Sequence, residues 1–107
     1  MVLATNLGFP RIGAKRELKK ALESYWAKEI SLEEFKQAGR ALRGTIWKTQ
    51  AEAGIEHIPS NDFCAYDHVL STAAMVGAVP ERYRALGLKE GIDTYFAMAR
   101  GNDKVGA

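Results

Sequence analysis

Residues 7–26, LGFPRIGAKRELKKALESYW, pass from a glycine-rich loop into an amphipathic helix. Two glycines and a proline fall within residues 8–13, so this segment is predicted to be a loop. Beyond it, apolar residues recur at intervals of three and four, which places their side chains on one helical face. They are Leu18, Ala21, Leu22, Tyr25 and Trp26. The predicted helix begins at Lys15 and ends near Glu29.

A second helix is predicted to follow at once. Ser31 precedes Glu34 by three residues, which is the capping-box pattern that satisfies two backbone N–H groups at the start of a helix. The inner face of this helix is predicted to contain Phe35, Ala38, Leu42, Ile46, Thr49 and Ala53. Gly54 stands where a left-handed residue commonly ends a helix.

Short strands are predicted on both sides of the two helices, at residues 2–7 and 55–58. Strand, helices and strand is the order of a βαβ unit, in which the strands run parallel inside a larger α/β protein. Because two strands do not form an independently stable sheet, we expect either a helix-dominated small domain or a piece of something larger. A chain of 107 residues cannot contain a complete (β/α)8 barrel, which needs about 250.

The remaining sequence predicts two more helices. Asn61 or Asp62 is expected to cap the first of them, and Asp93 is expected to cap the last, at residues 94–100. Residues 80–91 are predicted to be irregular, with room for one helical turn. Asn61 and Asp62 have a second interpretation, since polar groups at the carboxyl ends of barrel strands commonly face an active site. On local grounds helix capping is the simpler of the two.

Composition excludes several classes of protein. Fifteen Lys and Arg against thirteen Asp and Glu give a net charge of +2, too small to indicate nucleic-acid or membrane binding by itself. No apolar run approaches the ~20 residues of a membrane span. The single cysteine, Cys64, excludes an intrachain disulfide and suits a reducing compartment. We therefore expect a cytoplasmic protein with no nucleic-acid or membrane partner.

Five cations surround the junction between the loop and the first helix: Arg11, Lys15, Arg16, Lys19 and Lys20. A helix N-terminus already favours anions, so cations are unfavourable there unless an anion is bound. A phosphate or carboxylate held by the helix start and the basic side chains would explain the cluster. The alternative is a solvated face in which Lys19 pairs with Glu23, four residues on. The loop matches neither nucleotide-binding glycine pattern, so nucleotide binding has little support.

A metal site has weak support in this sequence. Cys64 and His68 are four residues apart and could share one ion. Structural zinc takes four ligands and catalytic zinc three, so His57 and a carboxylate would also have to converge on it. We expect no metal or cofactor to be bound by this chain alone, and no Cys–His nucleophile, because nothing marks an orienting third group.

Three stretches in order closely resemble the amino-terminal end of the cobalamin-independent methionine synthases. They are LGFPRIG at 7–13 with RELKKA at 16–21, IPSNDF at 58–63 with YDHVL at 66–70, and VPERY at 79–83 with DTYFAMARG at 93–101. The resemblance implies the first βα units of an incomplete (β/α)8 barrel, with two short strands. It also implies that residues 1–107 form the amino-terminal portion of the folate-binding domain, and that the carboxy-terminal zinc domain is absent.

What the resemblance implies about function is specific to one turn of the chain. In the family, the stretch matching Arg16, Glu17, Leu18 and Lys19 lies at the site for 5-methyltetrahydropteroyl-triglutamate, which donates a methyl group to homocysteine. Zinc, which activates homocysteine in the full-length family, has none of its ligands here. The chain alone is therefore expected to be inactive and to contribute only part of the folate site. Three hypotheses for the role of the chain stay open: part of the enzyme, a stand-alone folate-polyglutamate binding module, and a non-catalytic interaction protein. Self-association through helix faces left open is also expected.

Overall fold

The computed structural model describes residues 1–89 and 91–106, and these form two compact units. The first unit, Met1–Ala65, contains helices α1 and α2, and the second, from Tyr66 onward, contains α3 to α5. The helices are α1 at Glu17–Trp26, α2 at Leu32–Glu52, α3 at His68–Met75, α4 at Glu81–Arg84 and α5 at Gly91–Arg100. Helices therefore dominate the described part of the chain, as predicted.

Helix α2 has the boundaries that its capping pattern predicts. The Ser31 hydroxyl accepts the Glu34 N–H at 3.2 Å, and the Glu34 carboxylate accepts the Ser31 N–H at 2.7 Å. The bond from the Ser31 N–H lowers the pKa of the Glu34 carboxyl most, and the bond that the Ser31 hydroxyl donates lowers it further. At the other end Gly54 adopts φ 87°, the left-handed conformation expected of a residue that ends a helix.

Helix α1 is shorter than predicted at both ends. It begins at Glu17 rather than Lys15, because Arg16 adopts a left-handed conformation that is incompatible with helix. It ends at Trp26, and Lys28 is again left-handed, three residues before Ser31. The predicted apolar face packs against α2, and the buried apolar side chains of the two helices are Leu18, Leu22, Phe35 and Ile46. The Tyr25 and Phe35 rings stack with their centroids 5.4 Å apart.

The two predicted strands are reduced to one parallel bridge between Thr5 and His57, and the described residues contain no longer strand. The Ala4 carbonyl accepts the N–H groups of Glu56 and His57, and the Thr5 hydroxyl donates to the His57 carbonyl at 3.2 Å. The parallel direction agrees with the predicted βαβ order. The prediction of two strands is wrong in extent: within residues 1–89 and 91–106 each segment pairs only with the other, and a two-stranded pair is marginal in water.

In the second unit, both predicted helix caps are wrong. Helix α3 is capped by Asp67, whose carboxylate accepts the Leu70 N–H at 2.8 Å, and not by Asn61 or Asp62. The Tyr95 hydroxyl accepts the N–H groups of residues 66 and 67, both at 3.1 Å, which fixes the approach to α3. Helix α5 begins at Gly91, so Asp93 lies within its first turn. The single helical turn allowed for in residues 80–91 is α4, and α5 ends at Arg100 as predicted.

Candidate functional site

The loop at residues 8–13 reaches α1 through a tight turn held by the backbone. Gly13 has φ 89°, and its carbonyl accepts the Arg16 N–H at 3.1 Å. The Ile12 carbonyl accepts the Leu18 N–H at 3.0 Å, which ties the loop directly to the first turn of α1. The loop and the helix start are therefore one hydrogen-bonded element.

Arg16 occupies the N-cap position of α1 in a left-handed conformation, φ 59° and ψ 37°. For a residue other than glycine this conformation costs about 1–2 kcal/mol, so the surrounding contacts must hold it. Its side chain makes no capping bond to the helix and is exposed. The Arg16 guanidinium is therefore available to solvent beside the amino-terminal end of α1.

Glu17 belongs to the turn itself. Its carboxylate accepts the Lys15 N–H at 3.0 Å and lies against Gly13, in the space that a Cβ on Gly13 would occupy. A negative side chain in the first turn also suits the helix dipole. Glu17 thus shapes the turn that presents Arg16.

Leu18 and Lys19 point in different directions. Leu18 is 2% exposed and forms part of the core between α1 and α2. Lys19 is exposed, and its Nζ lies 3.7 Å from the Glu23 carboxylate. An exposed pair of this kind contributes only about 0.3–0.5 kcal/mol, so it leaves Lys19 able to exchange partners. The structure brings Arg16 and Lys19 to the surface at the start of α1, while Leu18 anchors that turn from inside.

Asp62 contacts the loop at residues 8–13 and does not cap a helix, so the helix-capping interpretation of this residue is wrong. Its Oδ2 accepts the Phe9 N–H at 2.9 Å and lies close to Gly8, where a Cβ would be 3.1 Å away. The Thr5–His57 bridge is parallel, so the segments that follow it leave in the same direction and their loops meet. The sequence signal for this contact is that Asp62 follows a predicted strand, where polar side chains commonly face a site.

The segment before the loop is anchored to α2 by a polar contact. The Asn6 side-chain amide donates to Gln50 Oε1 at 2.8 Å, and Gln50 is 3% exposed. Gln50 in turn donates to the Ile46 carbonyl at 3.3 Å, inside its own helix. Hydrogen bonds therefore hold the chain just before the loop, at Asn6, and at the end of the loop, at Gly13.

Zinc does not fit the described residues. Among residues 1–89 and 91–106, no three His, Cys, Asp or Glu side chains come together as metal ligands would. Cys64 forms no disulfide and is 4% exposed in the first unit. In the part of the chain that the structure describes, no helix is both long and apolar enough to cross a membrane.

The fold and site together define a class: a helix-rich segment with parallel pairing, whose exposed cations gather where a loop enters a helix. A family model described as "Cobalamin-independent synthase, N-terminal domain" matches residues 3–107. The chain belongs to this family, the cobalamin-independent methionine synthases, and matches their N-terminal domain.

Curated relatives agree with this assignment. The chain is 54% identical over 101 residues to a 5-methyltetrahydropteroyltriglutamate–homocysteine methyltransferase of Salinibacter ruber. It is 56% identical over 101 residues to the protein of the same name from Catharanthus roseus, and 55% identical over 101 residues to that from Acidiphilium cryptum. Each match covers 94% of this chain but 13% of the relative. The chain therefore spans about an eighth of the length of these relatives.

Proposed function

We propose that this chain contributes part of the binding site for the glutamate tail of 5-methyltetrahydropteroyl-triglutamate, with Arg16 and Lys19 as its cationic contacts. The observation that carries the proposal is the exposed Arg16, held left-handed at the start of α1, with Lys19 also exposed in the first turn. The relatives take their name from this methyl donor.

The chemistry of the tail suits this turn. Each glutamate of the tail carries a carboxylate, and a carboxylate can accept two parallel hydrogen bonds from one guanidinium. The start of a helix adds a partial positive charge of roughly half an elementary charge. Lys19 supplies a second cation on a flexible stem, which suits a ligand with several carboxylates. Its pair with Glu23 would be exchanged for the ligand.

Glu17 and Leu18 have supporting roles in this proposal. Glu17 lines the same turn and keeps its carboxylate on the Lys15 N–H, directed toward Gly13. Leu18 packs into the core and donates its N–H to the Ile12 carbonyl, so it sets the position of the turn. The two residues thus hold Arg16 and Lys19 in place, while the cations make the contacts with the ligand.

The wider proposal is that residues 1–107 are the amino-terminal portion of the folate-binding domain and the first βα units of a (β/α)8 barrel. The parallel bridge between Thr5 and His57 supports a βαβ order. The whole protein would transfer a methyl group from the folate to homocysteine, as the name of the relatives states. Zinc would belong to other parts of such a protein, and this chain alone would be inactive. A cytoplasmic setting completes the proposal and suits a single cysteine that forms no disulfide.

Calorimetric titration with the triglutamyl folate and its monoglutamyl form tests the proposal. We expect the triglutamyl form to bind more tightly and to lose affinity as salt is raised, because its extra carboxylates are screened. Arg16→Ala and Lys19→Ala should each weaken binding about fivefold, the equivalent of about 1 kcal/mol for an exposed charged contact. The absence of binding at millimolar ligand would reject this function.

The chain offers matched controls for both variants. Lys48 is an exposed helical lysine 3.8 Å from Glu52, four residues on, so Lys48→Ala repeats the chemistry of Lys19→Ala away from the loop. Arg40, paired with Glu33 at 3.1 Å, serves the same purpose for Arg16. If the control variants lost as much affinity for the triglutamyl folate as Arg16→Ala and Lys19→Ala, binding would depend only on net charge, and the proposed site would be rejected.

A second candidate role, as an interaction protein that self-associates, is favoured by apolar exposure on and just after α3. Val69, Met75 and Val76 are 78%, 68% and 69% exposed. Exposed apolar groups of this size mark contact surfaces when they lie together. Light scattering over a range of concentrations tests this role: we expect a mass above that of the monomer, and a fall in mass when Val69 and Met75 are changed to Lys. A constant monomer mass would reject it.

A further inference from the structure

Asp62 connects two segments that are far apart in the sequence. The Asp62 carboxylate accepts the Phe9 N–H at 2.9 Å, across a separation of 53 residues. Its Oδ2 also lies so close to Gly8 that a methyl group there would be only 3.1 Å away. A methyl group at residue 8 would therefore crowd the carboxylate that makes this contact.

Proline limits the backbone donors in the first half of the loop. Pro10 has no N–H group, so Phe9 provides the last backbone donor before Arg11. From Ile12 onward the loop is held by carbonyls that accept the N–H groups of Leu18 and Arg16. Asp62 thus holds the start of the loop at Phe9. The end of the same loop, at Gly13, is bonded to the left-handed Arg16.

We propose that Asp62 is a positioning residue for Arg16: by holding Phe9, it fixes the loop that presents the Arg16 guanidinium to an anion. The part of this inference that concerns ligand affinity rests on the proposed function. Asp62 itself is negative and would repel a carboxylate ligand, so its contribution to binding comes from the hydrogen bond it accepts and not from its charge. Asparagine has an oxygen in the same place and can accept the same bond without the charge.

The test uses Asp62→Ala and Asp62→Asn in the 107-residue chain, each with and without Arg16→Ala. We expect Asp62→Ala to weaken binding of the triglutamyl folate by up to about fivefold, the loss expected when Arg16 itself is removed, because a positioning residue contributes no more than the group that it positions. Asp62→Asn should bind at least as tightly as the parent. In the Arg16→Ala background Asp62→Ala should have little further effect, because a positioning residue acts only through the group that it positions.

Amide hydrogen exchange provides a readout that needs no ligand. Asp62→Ala should speed exchange at the Phe9 N–H and also at the Arg16 N–H, while Asp62→Asn leaves both close to the parent rates. Gly8→Ala, which crowds the same carboxylate, should have the same effect as Asp62→Ala in weaker form. Gly44→Ala is the control, since a Cβ at Gly44 meets nothing within 4 Å. Helical circular dichroism shows whether each variant is folded.

The outcomes separate the two proposals. If the parent chain does not bind the triglutamyl folate, the proposed function fails, and the exchange of the Arg16 N–H alone decides whether Asp62 holds the loop. If Asp62→Ala leaves the Arg16 N–H at the parent rate, the positioning role is overturned. Equal losses of affinity with and without Arg16→Ala would also overturn it, because Asp62 would then act independently of Arg16.

Discussion

Gly13→Ala is a direct test of how the turn before α1 is built. Gly13 adopts φ 89°, and a Cβ there would occupy the space of the Glu17 carboxylate, with Glu17 Cδ only 2.9 Å away. Glu17 is exposed and can rotate, so the collision would be relieved by moving its carboxylate off the Lys15 N–H. The substitution therefore combines a backbone cost with the loss of one hydrogen bond.

The two costs can be estimated separately. Placing alanine in a left-handed conformation costs about 1–2 kcal/mol. Losing the bond between Glu17 and the Lys15 N–H costs about 1 kcal/mol, because water replaces the partner at an exposed site. We expect a loss of about 2–3 kcal/mol in the free energy of unfolding, which lowers the Tm by roughly 4–8 °C for each kcal/mol in a chain of this size.

Gly54 supplies the matched control. It has φ 87°, almost the same conformation, but a Cβ there meets nothing within 4 Å. Gly54→Ala should therefore cost only the backbone term, about 1–2 kcal/mol. Urea denaturation followed by helical circular dichroism measures both variants, and the difference between them isolates the contact with Glu17.

A double variant completes the test. In a Glu17→Ala background the carboxylate is absent, so Gly13→Ala should cost no more than Gly54→Ala. The reasoning would be refuted if Gly13→Ala and Gly54→Ala were equally destabilising in the parent chain. An excess cost that persisted without Glu17 would assign the crowding to another neighbour, such as Leu42, whose Cδ1 would be 3.2 Å from the new methyl.

Three further predictions concern the caps and the second unit. Ser31→Ala should destabilise α2 by about 1 kcal/mol, measured by urea denaturation, because the Glu34 N–H loses its acceptor. The pKa of Glu34 is lowered in the folded chain, so its contribution to stability is present above the ordinary pKa of a glutamate and is lost as pH falls through the lowered value. In Glu34→Gln, the free energy of unfolding should therefore fall less between pH 6 and about pH 3 than it does in the parent chain, measured by denaturation curves at each pH. Tyr95→Phe should cost about 2–3 kcal/mol in a thermal melt, because the N–H groups of Tyr66 and Asp67 both lose their acceptor, and an unchanged Tm would contradict that role.

The elements that could be predicted from the sequence are those fixed by neighbours in the chain. The capping box at Ser31 and Glu34 spans three residues, and Gly54 ends α2 by its own conformational freedom. The errors arise where distant residues decide the structure. The sequence predicts that Asn61 or Asp62 caps a helix, but Asp62 accepts an N–H from Phe9, and the start of α3 is set by Asp67 and by the Tyr95 hydroxyl.

The same distinction applies to the candidate site. The cations along residues 11–20 are unfavourable at an empty helix N-terminus, so this local pattern predicts either an anion site or a solvated face in which Lys19 pairs with Glu23. It cannot say that Arg16 is left-handed or that Glu17 turns back toward Gly13, since both depend on how the loop closes. Nor does it separate Arg16 and Lys19, which are exposed, from Leu18, which is buried. In the proposed site, Arg16 and Lys19 contact the ligand, while Glu17 and Leu18 hold the turn. We therefore expect substitutions at Glu17 and Leu18 to lower the free energy of unfolding, and to have less effect on the preference for the triglutamyl over the monoglutamyl folate.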